Sequence, residues 1–232
     1  MGLGGLNSKI LFLVEDTIFS KNKFQPIPAL LNQWPELEQL VTLMPVNGVE
    51  KLPNPELLET FVKDAGLNCP VMLHRDRDFM SDDEVTRWKE NFDDLENVTA
   101  WVTDKWDADW YFTQKEHLAA VYGVSLEEAS GIIAEAIAKI TEKLERARAA
   151  SREHFNNLHR KLYAKQGSPS VDNIYAQFGG DEHSGAHGTK LLSAVKEVIN
   201  GRGLNASLIY LPTGQFELGL DLKTAIQEAL QD

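Results

Sequence analysis

The sequence predicts an α/β fold, with a mostly parallel sheet, helices on both faces of the sheet and a helical insertion. Three features of the 232-residue chain predict it. The run ILFLV at 10–14 is continuously apolar, which is typical of a central strand buried on both faces. Short apolar runs then alternate with helical stretches as far as Thr103, which implies right-handed crossovers between parallel strands. A long helical pattern follows Thr103 and interrupts this alternation, so it is expected to be an insertion.

The elements of the core follow from apolar runs and from the residues that begin and end them. Strands are expected at 10–14, 41–46, 71–74 and 98–102. The first connection is a short helical region interrupted by Pro35. The second is a helix that Pro55 opens and that runs to Asp64. The third helix begins at the Ser81–Glu84 capping box.

Beyond this core the sequence predicts mainly helices. One helix is expected from Asp107 to Tyr122. A longer one begins at Ser125 and runs to about Lys165. The loop GGDEHSGAHGTK leads into the helix LLSAVKEVI, and LKTAIQEAL closes the chain as a helix. We therefore expect a linker or the cut edge of a longer chain at 1–8, an α/β core at 9–105, a helical insertion at 106–166 and a C-terminal part that completes the functional site at 167–232.

Composition is that of a globular protein from a reducing compartment. Cys69 is the only cysteine, so the chain cannot form an intrachain disulfide or a cysteine-based metal cluster. No apolar stretch approaches the length of a membrane span, and the N-terminus lacks a signal-peptide pattern. We expect a cytoplasmic protein without a membrane partner.

Charge is distributed unevenly along the chain. The formal net charge is −12, yet the stretch from Lys143 to Lys165 has seven Lys or Arg residues and two Glu, a local charge of +5. An acidic body with one basic stretch suits a protein that collects cations in one place and contacts an anionic polymer in another. A solvated helix of mixed charge explains the basic stretch equally well.

Acidic residues follow the predicted strands in three places: Glu15 and Asp16, Asp76 and Asp78, and the cluster of Asp104, Asp107 and Asp109. Because the carboxyl ends of parallel strands meet at one edge of a sheet, Glu15 is expected to lie near Asp76 and Asp78. Carboxylates gathered there repel one another unless a divalent cation compensates their charge. Oxygen ligands without cysteine or converging histidines suit Mg²⁺ or Mn²⁺. Each cluster taken alone is also explained as a solvated loop at a strand end.

Basic residues accompany these clusters. Arg75 and Arg77 are expected to pair with Asp82 or Asp83, or to contact phosphate. Lys190 follows a glycine-rich loop and begins a helix, where its charge and the helix N–H groups can stabilise a transferring phosphoryl group. A P-loop is excluded, because the Gly-Thr-Lys order lacks the required spacing.

Three segments together resemble the TOPRIM domain, a Rossmann-like fold. They are LFLVE, MLHRDRD and the late segment GTKLL, and the resemblance covers residues 9 to 200 approximately. The helical insertion before the lysine is similar to that of OLD-family nucleases and related phage-defence ATPase-nucleases. The resemblance implies a metal-dependent nuclease that cuts or nicks DNA with one or two Mg²⁺ or Mn²⁺ ions.

The same resemblance implies roles for individual residues. Glu15 becomes a metal ligand or general base, and Asp76 and Asp78 become metal ligands. Lys190 becomes the lysine that stabilises the transition state, and Asp109, in DADWYF, matches an acidic position of the family loosely.

One departure from the family concerns the second metal ion. The family glutamate is usually followed by glycine and, a few residues later, by aspartate, whereas here Asp16 follows directly and Phe19 stands four positions on. Asp16 or Asp109 therefore has to supply the second site, if there is one.

The resemblance also implies partners. Related proteins carry an upstream ATPase module, and since this chain lacks a P-loop, an upstream or separate ABC-type ATPase is expected. Homodimerisation through the long helix is a further expectation. DNA is expected to be bound without sequence specificity, through contacts to its backbone. The residues expected to make them are Arg146, Arg148, Arg152, Arg160, Lys161 and Lys165.

Two other functions stay open. ILFLVED resembles the start of receiver domains, which have an acidic pair after the first strand and a phosphorylatable aspartate, here Asp76, after the third. The spacing from Glu15 and the insertion are foreign to that compact fold. Alternatively, the chain is a non-catalytic interaction module whose long helix from Ser125 is a dimer or partner arm.

Overall fold

The computed structural model describes residues 9–15, 25–158 and 167–231. Of the predicted site residues, Asp16, Arg160, Lys161 and Lys165 lie outside the described residues. The chain divides into two compact units. The first unit comprises the chain up to Asp76, Val85–Thr103 and Gly219–Asp232, and the second comprises Arg77–Glu84 and Asp104–Leu218.

The first unit contains a sheet of parallel strands: β1 Ile10–Val14, β2 Val41–Pro45, β3 Val71–Arg75 and β4 Val98–Val102. Their order in the sheet is β2-β1-β3-β4, and each neighbouring pair is parallel. All five residues of β1 are buried, which confirms the predicted central strand. The α/β class and the parallel sheet are therefore confirmed.

The α-helices of the described residues are, in chain order, α1 Pro26–Leu31, α2 Pro35–Glu38, α3 Pro55–Ala65, α4 Asp82–Glu90, α5 Lys115–Tyr122, α6 Leu126–Leu158, α7 Val171–Gln177, α8 Gly188–Gly201 and α9 Leu220–Ala229. Short 3₁₀ helices lie at Val49–Lys51, Ala108–Thr113 and Ala206–Tyr210. No helix among the described residues combines the length and the apolar character that crossing a membrane requires.

Helix α3 shows how the local sequence sets the bounds of an element. The side chain of Asn54 accepts a hydrogen bond from the N–H of Leu57 at 2.8 Å, and Pro55 occupies the first helical position, where its missing N–H costs nothing. Gly66 ends the helix with a φ of 60°, a left-handed conformation that glycine adopts without strain. These bounds agree within one residue with the helix predicted to open at Pro55 and to run to Asp64.

The sheet of the first unit is covered on both faces. Leu11 and Leu13 of β1 point to one face, where they form a buried cluster with Leu58 of α3 and with Phe92, which follows α4. Residues of the opposite parity point to the other face, where Trp101 of β4 donates a hydrogen bond to the Asp221 carboxylate of α9 at 3.0 Å. Helices on both faces agree with the predicted layering.

The second unit is mainly helical. Helix α6 packs along α8, and the 3₁₀ helix Ala108–Thr113 packs against α8 as well. The long helix predicted from Ser125 is present as α6 as far as Leu158, and the remainder of that prediction, up to residue 165, lies outside the described residues.

The single helix predicted from Asp107 to Tyr122 is wrong. The structure has a 3₁₀ helix followed by α5, because Gln114 between them is extended, with φ −69° and ψ 136°. Asp107 caps the 3₁₀ helix by accepting the N–H of Trp110 at 3.2 Å.

Candidate functional site

The strand order of the first unit has one topological switch point. The chain leaves β1 to form β2 on one side of it, and then forms β3 on its other side. In open α/β sheets, ligands bind beyond the carboxyl ends of the strands at such a point. Glu15 follows β1 and Asp76 follows β3, so both lie at this position.

Glu15 and Asp76 are in direct contact. The Oε2 atom of Glu15 accepts a hydrogen bond from the backbone N–H of Asp76 at 2.9 Å. Both residues are only partly buried. The structure thus brings together two residues that lie 61 positions apart in the sequence, as the parallel strand order predicts.

His74 belongs to the same cluster and is not among the predicted site residues. Its side chain is fully buried, and its Nδ1 atom accepts the N–H of Glu15 at 3.4 Å. The other ring nitrogen, Nε2, lies 3.2 Å from Oδ1 of Asp76. The sequence signal for His74 is its position in the alternation of β3. Residues two positions apart in a strand share a face, so His74 points away from Leu73, which belongs to the buried cluster of Leu11 and Leu13.

The pair of carboxylates fits Mg²⁺ or Mn²⁺ as part of a ligand set. Mg²⁺ in phosphoryl-transfer sites keeps several waters and is held by one or two carboxylates together with phosphate oxygens of the substrate. Glu15 and Asp76 supply two carboxylates from rigid strand ends. Within the described ranges, no group of three or more acidic, histidine or cysteine side chains is arranged to hold a metal ion.

Asp78 belongs to the second unit. Its backbone is in the left-handed region, with φ 51°, which aspartate tolerates better than most residues. Its N–H donates to the carbonyl of Trp106 at 2.7 Å. That contact places the Asp78 backbone beside an aromatic cluster of Phe79, Trp106 and Phe178.

Arg77 holds the same loop. Its guanidinium donates to Asp82 at 2.6 Å and to the carbonyl of Met80 at 3.1 Å, and it lies 4.2 Å over the ring of Phe178. The predicted pairing with Asp82 is therefore confirmed for Arg77. In the first unit, Arg75 lies over the ring of Trp88 at 5.6 Å.

Arg152 has a structural place in the second unit. It is 4% exposed and makes a two-pronged ion pair with the buried Glu84, both N–O distances being 2.8 Å. Glu84 also accepts the N–H of Ser81 at 2.8 Å, which confirms the predicted capping box. The prediction that Arg152 contacts a DNA backbone is corrected, because its buried guanidinium donates its hydrogen bonds to Glu84 and to the Ser168 hydroxyl.

The other described members of the predicted basic surface differ from one another. Arg148 is partly buried, donates to the carbonyl of Gly185 at 3.1 Å and lies over the ring of Tyr175. Arg146 is exposed and pairs with Glu142 at 3.2 Å. Three arginines of the predicted basic surface lie in the part of the chain that the structure describes, and Arg146 is the exposed one among them.

Lys190 lies in the first turn of α8 and is exposed. The helix begins against Asp107, whose Oδ2 atom accepts the N–H of Thr189 at 3.1 Å and lies 2.9 Å from Nδ1 of His187. Gly188 is required here, because a Cβ atom at that position would clash with the Asp107 carboxylate. Asp107 therefore caps the start of α8 as well as the preceding 3₁₀ helix.

Asp109 lies in a polar cluster of the second unit. It accepts a hydrogen bond from the hydroxyl of Thr189 at 2.9 Å and another from Tyr210 at 3.5 Å, and Lys196 donates to the Tyr210 hydroxyl at 2.9 Å. Burial, and then the nearby charge of Asp107, raise the pKa of Asp109 to about 6. Burial also lowers the pKa of Lys196. Thr189, Lys196 and Tyr210 carry no sequence signal that connects them with this position.

No protein-family model matches the chain, and comparison with curated proteins and with solved structures gives no significant match. The functional assignment therefore depends on the residues and the geometry of this chain.

Proposed function

We propose that the chain is a metal-dependent nuclease of the TOPRIM type seen in OLD-family proteins, which hydrolyses or nicks DNA phosphodiester bonds. One observation carries the proposal. Glu15 and Asp76 are in contact at the carboxyl ends of two adjacent parallel strands, at the switch point of the sheet. Two carboxylates held there by strand ends are the kind of ligand that Mg²⁺ and Mn²⁺ take in phosphoryl-transfer sites.

The chain's own groups have distinct tasks in this reaction. Glu15 is oriented by the Asp76 N–H, and its carboxylate holds the cation or accepts the proton of the attacking water. Asp76 contributes the second carboxylate. A bound Mg²⁺ or Mn²⁺ supplies a Lewis acid for the phosphate and lowers the pKa of a bound water.

The resemblance adds residues of the second unit to this proposal. Asp78 is proposed as a further ligand, and the exposed amine of Lys190 as the cation that offsets charge on the phosphate. Arg146 is proposed to contact the DNA backbone. The same proposal includes an upstream or separate ABC-type ATPase and homodimerisation through α6. It also includes a role in phage defence or DNA processing and a cytoplasmic location.

A plasmid-nicking assay tests the proposal. The purified chain is incubated with supercoiled DNA and Mg²⁺ or Mn²⁺, and then with linear DNA, single-stranded DNA and RNA. Nicking by the unmodified chain and its loss in Asp76→Ala are expected. The matched control is Asp93→Ala, which removes an exposed carboxylate of the same unit and is expected to nick normally. Nicking by Asp76→Ala at the unmodified rate would show that the assignment is wrong.

A receiver-like phosphate acceptor is the second candidate, and the strand order favours it. The order β2-β1-β3-β4 is the beginning of the flavodoxin-like order, which also has its ligand site at the β1/β3 switch point. If the chain is a receiver-like domain, Asp76 is the residue that is phosphorylated. Incubation with labelled acetyl phosphate distinguishes the two: stoichiometric labelling that Asp76→Asn abolishes, without DNA cleavage, supports the receiver. If the chain neither cleaves DNA nor binds Mn²⁺ nor is labelled, the non-catalytic interaction module is supported.

A further inference from the structure

A buried histidine, His74, lies beside the carboxylate pair and is not one of the proposed metal ligands. We infer that His74 is a positioning residue: it fixes the Asp76 carboxylate relative to the end of β1, and thereby prepares the site for a divalent cation. This inference rests on the proposed function, because it concerns the same site.

The two ring nitrogens of His74 contact different strands. Nδ1 accepts the N–H of Glu15, the residue that follows β1, at 3.4 Å. Nε2 lies 3.2 Å from Oδ1 of Asp76, which follows β3. The first contact makes Nδ1 the accepting nitrogen, and the approach of Nε2 to the carboxylate is a close polar contact without the alignment of a hydrogen bond. One imidazole thus links the backbone of one acidic residue to the side chain of the other.

The ring itself is held in a defined orientation. It stacks on Trp101 with centroids 4.9 Å apart and an interplanar angle of 29°, and it meets the Phe12 ring in a T-shaped arrangement with centroids 6.3 Å apart. The indole of Trp101 is in turn fixed by its hydrogen bond to Asp221 at 3.0 Å. The contacts therefore run from α9 through β4 and β3 to Asp76, the residue that directly follows β3.

Burial shows that His74 acts through its neighbours. Its side chain is 0% exposed, so it cannot contact DNA or an attacking water. A buried ring that is held in one orientation and lies 3.2 Å from a ligand carboxylate restricts that carboxylate before the cation arrives. Removing such a supporting partner costs about 10- to 100-fold in metal affinity.

Titration with Mn²⁺ alone tests the inference on the full 232-residue chain, with binding measured by electron paramagnetic resonance of the free ion. His74→Phe keeps an aromatic ring against Trp101 but removes both ring nitrogens, and it is expected to weaken Mn²⁺ binding about 10- to 100-fold. His74→Gln places an amide near the position of Nε2, whereas His74→Asn places its amide near Nδ1. His74→Gln is therefore expected to bind Mn²⁺ more tightly than His74→Asn.

The outcomes separate this inference from the proposed function. Asp76→Asn should abolish Mn²⁺ binding, and if it binds like the unmodified chain, the proposed metal site itself is wrong. If Asp76→Asn weakens binding but His74→Phe does not, only the role of His74 is overturned. Should His74→Phe fail to fold, the Gln and Asn variants decide: equal or reversed affinities contradict the inference. A merely structural role would lower the thermal midpoints of both variants without ranking their Mn²⁺ affinities.

Discussion

The acidic residues of the two units differ in what they bind. In the first unit, Glu15 and Asp76 each follow a strand, and the Glu15 carboxylate accepts the backbone N–H of Asp76. Both residues also contact the buried ring of His74. In the second unit, Asp107 accepts the N–H groups of Trp110 and Thr189, which begin two different helices. Carboxylates that follow a strand can thus contact the end of a neighbouring strand or cap a helix. Their partners, more than their spacing, distinguish the two uses.

Glu84 extends the comparison, because it is a buried carboxylate of the second unit that pairs with a buried arginine, Arg152. Arg152→Ala leaves it buried at 5% exposure without its cation, so a loss of about 3 to 5 kcal/mol in the free energy of unfolding is expected. Urea unfolding measures the loss. Arg146→Ala, which removes an exposed arginine of the same helix, should cost about 0.5 kcal/mol or less. A loss in Arg152→Ala no larger than that of Arg146→Ala would contradict the structural role of the pair.

Stabilisation of the folded chain by Mn²⁺ is expected to require the Asp76 carboxylate. Mn²⁺ at about 100 times its dissociation constant should raise the free energy of unfolding of the chain by about 2.7 kcal/mol. The increase is expected to vanish in Asp76→Asn and to persist in Asp109→Asn, since Asp109 belongs to the polar cluster of the second unit. Thermal unfolding with and without Mn²⁺ measures both. Equal stabilisation of the two variants would remove the distinction between the units.

Asp107 provides the converse test. Asp107→Ala removes the cap of the Ala108–Thr113 helix and of α8, and a loss of about 1 to 3 kcal/mol in stability is expected. Mn²⁺ affinity, measured under conditions where the variant is folded, should not change. The control is Asp104→Ala, an exposed neighbour whose ion pair with Lys105 spans 3.6 Å. If Asp107→Ala is as stable as Asp104→Ala, the capping role is wrong.

Much of the first unit could be predicted from the sequence, because its signals are local. The apolar run of β1 and the proline and glycine at the ends of α3 each depend on a few adjacent residues. The contact between Glu15 and Asp76 was predictable too, since parallel strands place their carboxyl ends at one edge.

The rest depends on contacts between residues that are distant in the sequence. Arg152 has the same helical context as a surface arginine, and its burial follows from Glu84, 68 positions away. The role of His74 depends on a pairing with Glu15 across two strands. Even the break at Gln114 is not marked by glycine or proline, so the continuous helix predicted there failed.

Asp109 gives the smallest expected effect and the one with the clearest dependence on pH. Its pKa is raised from 3.8 to about 6 by burial and by Asp107, so the folded state holds the proton more tightly than the unfolded state does. Between those two pH values, stability from this group falls as pH rises, and above pH 6 the full cost of the buried charge is present. Asp109→Asn removes that charge and retains an acceptor for Thr189.

The variant is therefore expected to be more stable than the unmodified chain by about 1 to 2 kcal/mol at pH 8, allowing for solvent screening of a partly buried group. The gain should disappear as pH falls towards 4, where Asp109 is protonated in the folded state. Urea unfolding across this pH range measures it, with Asp93→Asn as the exposed control. A gain of the same size at pH 4 and pH 8 would show that the effect comes from packing and not from charge. In that case Asp109 could no longer be contrasted with the strand-end pair on electrostatic grounds.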